Sequence, residues 1–402
     1  MRRVAVTGLG MVAAAGNDVA ANWQAAVAGK SAIVQLNQWG AEFAECDVAA
    51  VAAHFDPGAW LPVRVRSSAD RFSHFAVKAA IEAVEDAGLP DTALRDAAVV
   101  MGCSVGGIKF LEEQYVGFFG SSPVRIHPMT IPKLMPSAAA SQISMFFGTQ
   151  ALSYTVTAAC ASSNHAIGQA FKLVQSGACD LAVTGGAEAS ITPGSMEAWR
   201  SLRVLAIDTC RPFCRRRSGM VVGEGAAILI LEPLETALER GTKIYCEVVG
   251  YGASSDAGRL TAPDPNGMAA AMRNALADAR LDPSGIGYIN AHGTGTTQND
   301  VAEVKALRLI FGPGGIIPPV SSSKSIFGHT LGAASAIEAV MTCKAIAESI
   351  APPTANFIEP DPECDIDVVA NEARPCVIEA AISNAFAFGG INTSLVFAKV
   401  PK

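Results

Sequence analysis

The chain has 402 residues, half of them hydrophobic, enough to bury a large core that two structural units share across one interface. A net charge of −7 and a pI near 5.5 exclude a general nucleic-acid binder, while leaving room for a local basic patch that meets an acidic partner. Gly, Pro or charge interrupts every apolar run within about a dozen residues, which excludes a membrane span.

In chain order, RRVAVTGLG reads as a strand, FAVKAAIEAVEDAGL as a helix and AAVVMGC as a strand. A helix follows Cys160, then the strand LAVTGGAE and the segment AAILILEPLETALERG. Near Lys243 the pattern restarts: KIYCEVVGYGAS, the helix-like GMAAAMRNALADARL, GYINAHGTG, a helix over about Asp300 to Ile310, VSSSKS, a helix after His329, and AAISNAFAFGGINTSLVFAKV. The alternation predicts a layered α/β core covered on both faces. The restart predicts two halves of like plan, 1–242 and 243–402.

One comparison supports a duplication. VTAACASSNHAIGQAFKLVQSG and VSSSKSIFGHTLGAASAIEAVMTCKAI each run from a strand through small residues into a helix, which puts Cys160 and His329 at equivalent helix entrances facing one crevice. Gln35–Ser68 and Gln114–Pro136 lack steady periodicity and read as loops that wall a pocket or meet a second subunit.

Ten cysteines, with no apolar signal segment after MRRVAVTGLG, point to free thiols in a reducing cytoplasm. Cys210 and Cys214 have no second pair at zinc-ligand spacing, so no metal site is expected. Cys160 differs from the other thiols by its place at a helix start, where the partial positive charge of the helix N-terminus lowers the cost of a thiolate. The small residues Ala158, Ala159, Ala161, Ser162 and Ser163 leave room for an acyl group. His292 in NAHGTGT and His329 in IFGHTLG are flanked by glycines that permit close backbone approach, and a cysteine with two histidines suggests thioester chemistry. His165 reads as an ordinary helix residue.

The residues then carry a resemblance. RRVAVTGLGMV, TAACASS, RPFCRRRSGMVVGEGAAILILE, NAHGTGTTQNDVAEVKAL, SSSKSIFGHTLGAASAIEAV and SNAFAFGGINTSLVF, in that order, are similar to the β-ketoacyl-carrier-protein synthases, the condensing enzymes of fatty acid and polyketide assembly, and cover essentially the whole chain. The resemblance implies a thiolase-like fold with a duplicated α-β-α-β-α core. It implies Cys160 as acyl-accepting nucleophile, His292 and His329 as the two histidines, and Lys324 paired with Glu338. It also implies Thr294 and Thr296 against the phosphopantetheine arm, and Phe388, with Phe386 nearby, as a gate whose backbone N–H joins that of Cys160 in an oxyanion hole. One such donor contributes roughly 3 kcal/mol. Val105 resembles an acyl-pocket position, and Arg64, Arg66 and Arg203 lie near carrier-docking positions. The family needs neither metal nor resident cofactor, because phosphopantetheine arrives on the acyl carrier protein. It implies a dimer, either of identical chains or with a partner like a chain-length factor.

Departures from the common pattern point away from housekeeping elongation and towards specialised nodulation-lipid or polyketide synthases. Ala387 stands where many relatives have Gly, which predicts an altered gate. Gly295 replaces a common Ser. Cys214 and Ser218 stand where acidic residues are usual, leaving Arg215, Arg216 and Arg217 to form a basic docking surface. A thiolase is disfavoured because AFAFGGIN lacks a second cysteine, and a Cys-His-Asn enzyme because His329 stands where asparagine would. A non-catalytic partner subunit is disfavoured by the presence of Cys160.

Overall fold

The computed structural model, which describes residues 1–38, 43, 47–312 and 315–401, repeats one arrangement of strands and helices twice along the chain. The first half runs β1 (Val4–Val12), α1 (Arg71–Asp86), β2 (Ala98–Gly102), β3 (Ser153–Val156), α2 (Ser162–Ser176), β4 (Ala182–Glu188) and β5 (Gly225–Pro233). The second runs β6 (Cys246–Ser255), α3 (Pro265–Ala279), β7 (Tyr288–Asn290), α4 (Thr297–Phe311), β8 (Val320–Ser321), α5 (Ala334–Glu348), β9 (Ala380–Ala387) and β10 (Ile391–Ala398).

Across the ten-stranded sheet the order is β8-β7-β9-β10-β6-β1-β5-β4-β2-β3. Read outward from the centre, the two halves are therefore β1-β5-β4-β2-β3 and β6-β10-β9-β7-β8. In each, the two inner pairings are antiparallel and the two outer ones parallel. The halves join where Val4, Ala5 and Val6 pair with Val248, Glu247 and Cys246.

Helices α2 and α5 pack on each other and on strands of both halves, with α1 outside the first half and α3 outside the second. These are the five layers expected from the sequence. In the central layer Ile167 and Phe171 of α2 cluster with Ile337 and Val340 of α5 and with Leu9, Leu229 and Phe397 of the strands. Burial of this kind stabilises by roughly 25 cal/mol for each Å² of apolar surface.

Outer helices come unusually close to their strands, for a reason written in the glycines. A Cβ on Gly8 or Gly10 of β1 would stand 2.1 or 1.8 Å from the carbonyl oxygens of Ala83 and Ala79 in α1. On Gly250 or Gly252 of β6 it would stand 2.2 Å from those of Ala275 and Ala271 in α3. Both halves thus use a Gly-x-Gly strand under an alanine-faced helix. α3 begins with Asp264 capping the Asn266 N–H and Pro265 in its first turn, and ends at Arg280 in the left-handed conformation.

The second presumed loop is partly helical. Ile108–Phe119 forms a helix with no buried residue, and Thr130–Leu134 a short helix that buries only Thr130 and Lys133, so their apolar residues give no core-facing period. Within Gln35–Ser68, Val48–Ala50 is a strand and Pro57–Trp60 and Val63–Ser68 are short helices; residues 39–42 and 44–46 lie outside those described. Among the described residues no helix is long and apolar enough to cross a membrane.

Replacing Gly252 by Val would drive two methyl groups into the α3 backbone. The expected cost is about 3 kcal/mol or more, read as a fall in the urea midpoint. An unchanged midpoint would show that α3 can lift off the strand freely.

Candidate active site

Cys160 sits on a sharp elbow between β3 and α2. Ala159 holds φ at +46°, in the left-handed region, and the turn is fastened by Ser162, whose hydroxyl accepts from the Ala158 N–H at 2.8 Å and donates to the Ala159 carbonyl at 2.6 Å. The second half has the same elbow, with Leu331 at φ +48° two residues before Ala333, the residue that precedes α5. The residue equivalent to Cys160 is therefore Gly332, and His329 lies three positions earlier. This corrects the expected equivalence of Cys160 and His329, which short runs of small residues could not register.

The two elbows are sewn together. Ser163 Oγ and Ser335 Oγ, each on the second residue of its helix, lie 2.8 Å apart. Each also accepts a backbone N–H from the other helix, Ala336 to Ser163 and Asn164 to Ser335, both at 2.9 Å. All of these groups are buried.

That join brings His329 Nε2 to 3.0 Å from Cys160 Sγ. The Leu331 N–H donates to His329 Nδ1 at 3.2 Å, so the ring proton resides on Nε2 and points at sulfur. His292 stands beside it, with ring centroids 5.5 Å apart and planes at 84°. Lys324 Nζ lies 3.3 Å from His292 Nδ1, donates to the His292 carbonyl at 2.5 Å and forms a buried ion pair with Glu338. The ammonium thereby assigns His292 the same Nε2–H form. Burial, reinforced by Lys324, pushes both imidazoles well below their ordinary pKa.

Burial has the opposite consequence for the Cys160 thiol. Cys160 is 8% exposed, and desolvation pushes its thiol up to about 11 although Lys324 pulls it down. Burial therefore opposes the thiolate that the helix start was expected to favour, because the elbow that turns sulfur into the crevice also withdraws it from water.

A cavity of about 370 Å³ opens over these groups. Thr294 and Thr296 line it with their hydroxyls 2.8 Å apart, Thr296 also capping α4. Phe386 is buried against the His292 ring, centroids 6.1 Å apart, while Phe388 is 36% exposed at the mouth beside Trp199. Ala387 is the last residue of β9, paired with Ile391, and the left-handed bends fall at Gly389 and Gly390. Arg203 lines the mouth; Arg64 and Arg66 are exposed on Val63–Ser68 and do not line this cavity. Val105 is 37% exposed and does not line it either.

The expected arginine surface is corrected in part: Arg217 is buried and bonded to Asp361 and the Cys214 carbonyl, Arg216 is exposed but pairs with Glu359 at 3.0 Å, and Arg215 is exposed. The neutralising acids come from residues far along the chain, which inspection of the local segment missed. Gly295 has a steric reason: φ is +78°, and a Cβ would lie 2.8 Å from the Gly219 carbonyl oxygen. His165, on α2, meets the Tyr251 hydroxyl at 2.5 Å away from the cavity. Among the described residues no group of His, Cys, Asp and Glu is placed to hold a metal.

Sequence reasoning also passed over Glu303. Its carboxylate accepts the His292 and Gly293 N–H groups, both at 2.8 Å, and burial pushes it up to about 7. Its signal was an acid eleven residues after the histidine, on the inner face of α4.

Isotope-edited NMR of labelled histidine should find both rings as neutral Nε2–H tautomers from about pH 6 to 8. An imidazolium at either position in that range would mean that burial and Lys324 do not hold the rings neutral.

Residues 1–237 match the family described as Beta-ketoacyl synthase, N-terminal domain, and residues 245–358 its C-terminal domain. The chain is 42% identical to "Nodulation protein E" of Rhizobium leguminosarum bv. trifolii, covering 99% of this chain and 100% of that protein. It is 41% identical to "3-oxoacyl-[acyl-carrier-protein] synthase 2" of Synechocystis sp., covering 99% and 98%. Among solved structures, "The ishigamide ketosynthase/chain length factor" superimposes with a TM-score of 0.93 at 33% identity, covering all of both chains. A type II polyketide ketosynthase in complex with its acyl-carrier protein gives 0.89 at 30%, covering 99% of this chain and all of that one. With both halves matched, and relatives of this identity aligned end to end, the chain belongs to the β-ketoacyl synthase family of acyl-transferring enzymes.

Proposed function

We propose that this chain condenses an acyl group held on Cys160 with malonyl-acyl carrier protein, releasing carbon dioxide and giving a β-ketoacyl-carrier protein, in specialised fatty acid or type II polyketide synthesis. The observation that carries the proposal is a single thiol 3.0 Å from one Nε2–H, with a second neutral imidazole alongside, all opening into one cavity.

In the first half-reaction the Cys160 sulfur attacks the acyl thioester carbonyl. The new C–S bond forms as the old one breaks, and the thiol proton passes to the departing phosphopantetheine sulfur. The backbone N–H groups of Cys160 and Phe388 serve as the oxyanion donors. The high pKa of the resting thiol makes deprotonation part of the attack, with His329 Nε2–H donating to the sulfur as charge develops. In the second half-reaction both Nε2–H groups donate to the malonyl thioester oxygen. Carbon dioxide leaves, its bonding pair becomes the enolate, and that carbon attacks the acyl carbonyl and expels the Cys160 sulfur, which takes a proton from solvent through the open cavity.

Two neutral donors suit this step because an enolate oxygen gains charge only as the bond breaks. Lys324, paired with Glu338, holds His292 in the donating tautomer, and Glu303 fixes its backbone. Thr294 and Thr296 bind the phosphopantetheine arm, which enters past Phe388, with Phe386 closing the wall beneath it. The two halves, 1–242 and 243–402, each supply one elbow. No resident cofactor or metal takes part.

Arg203 at the mouth, with Arg64 and Arg66, supplies the positive groups that an acidic carrier protein meets. The chain works as a cytoplasmic dimer, of identical subunits or with a chain-length-factor-like homologue. Exposed Tyr115, Val116, Phe119, Ile131 and Met145, together with β3 at the edge of the sheet, support such an interface. Val105, open to solvent in the single chain, belongs to an acyl pocket that this interface covers.

Mass spectrometry of carrier-bound products, after mixing the protein with malonyl-carrier and a panel of acyl-carriers, tests the reading. A product two carbons longer with a β-ketone is expected from the native protein and none from Cys160→Ala. Condensation that survives Cys160→Ala would refute the assignment of the nucleophile, and a native protein that no donor acylates would make the chain a non-catalytic partner subunit.

A further inference from the structure

The last residue of β4 is a carboxylate with an unusual set of partners. Glu188 is fully buried. Its Oε2 accepts the Ser104 N–H at 2.7 Å, the Ser104 hydroxyl, and the Gly332 N–H at 3.2 Å. Its Oε1 accepts the Val105 and Gly106 N–H groups, both at 3.3 Å, with the Cys103 thiol at 3.7 Å. No ion pair at Glu188 is found among the described residues. Its charge is spread over four backbone donors and one hydroxyl instead.

Those donors come from two segments with different work. Residues 103–106 connect β2 to the helix Ile108–Phe119 and carry Val105. Gly332 belongs to the elbow after His329, where the neighbouring Leu331 N–H fixes the tautomer of that imidazole. Both segments are pressed against the site of contact: a Cβ on Gly332 would lie 2.3 Å from the Ser104 nitrogen and 2.6 Å from Glu188 Oε2. The carboxylate therefore lies where the Val105 segment and the His329 elbow meet and accepts hydrogen bonds from both.

We propose that Glu188 is a positioning residue that couples acyl-chain selection at the Val105 segment to the alignment of His329 on Cys160. The proposal rests on the ketosynthase reading above and deepens it. An acyl chain that displaces the 103–106 segment pulls on the same carboxylate that anchors Gly332, so a chain of the wrong length is penalised in the chemical step as well as in binding. A neutral amide in this place would turn its NH₂ towards N–H donors and release one of the two segments.

The test uses full-length protein and measures single-turnover acylation of Cys160 by acyl-carriers of graded length, with thermal midpoints recorded in parallel. Glu188→Gln is expected to slow acylation by the preferred donor about 10- to 100-fold at saturating donor, a misalignment effect on the chemical step. It should also flatten the chain-length profile, and Glu188→Asp should recover part of both. Ser104→Ala, which removes only the hydroxyl contact, should shift the ratio of long- to short-chain acylation by about threefold or more through the same linkage. Native acylation rates and profile in Glu188→Gln would overturn the proposal. Should that variant fail to fold, Ser104→Ala with the native profile overturns it. A native protein that accepts no acyl group would instead sink the ketosynthase reading, which separates the two failures.

Discussion

The reciprocal bonding of Ser163 and Ser335 is the constraint on which the site depends. Two helix N-termini, each with N–H groups that need partners, meet buried in the middle of the protein. Each donates an N–H to its partner's hydroxyl oxygen, and the two hydroxyls bond to one another. Because hydrogen bonds fix distance to a few tenths of an ångström, this join sets where the Cys160 elbow stands relative to the His329 elbow. The 3.0 Å contact between sulfur and imidazole is its result.

Around that join the electrostatics are arranged by burial more than by charge. The one ammonium close to the histidines, Lys324, is matched by Glu338 and directs its remaining hydrogens to the ring nitrogen and carbonyl of His292. Burial thus favours the imidazoles as neutral donors and the sulfur as a thiol. Desolvation is costly for an ion at rest and helpful for a transition state whose charge is met by dipoles already in place.

Much of this was legible in the chain. The alternation of strand-like and helix-like segments and the restart near Lys243 pointed to the layered, duplicated core because each is a local pattern tied to a local structure, whereas the Gly-x-Gly packing under alanine-faced helices emerged only in the fold. Cys160, His292, His329 and Lys324 stood in distinctive small-residue settings, and the structure brings all four together. What escaped were relations between distant segments. Asp361 and Glu359 neutralise Arg217 and Arg216 from more than 140 positions away. Desolvation of Cys160 depends on everything packed around the elbow, which no window of sequence contains. The register of the duplication failed by three residues because alanine, glycine and serine are interchangeable in a short comparison, whereas a positive φ and a hydrogen-bond partner are not.

The corrected register has a stoichiometric consequence. Gly332 occupies the place of Cys160 in the second repeat, and no side chain fits there because the Ser104 backbone and the Glu188 carboxylate already fill the space. Duplication therefore did not double capacity. A thiol cannot be seated at the matching elbow, so on the proposed reading each polypeptide has a single berth for a growing chain, and a two-fold plan serves an occupancy of one.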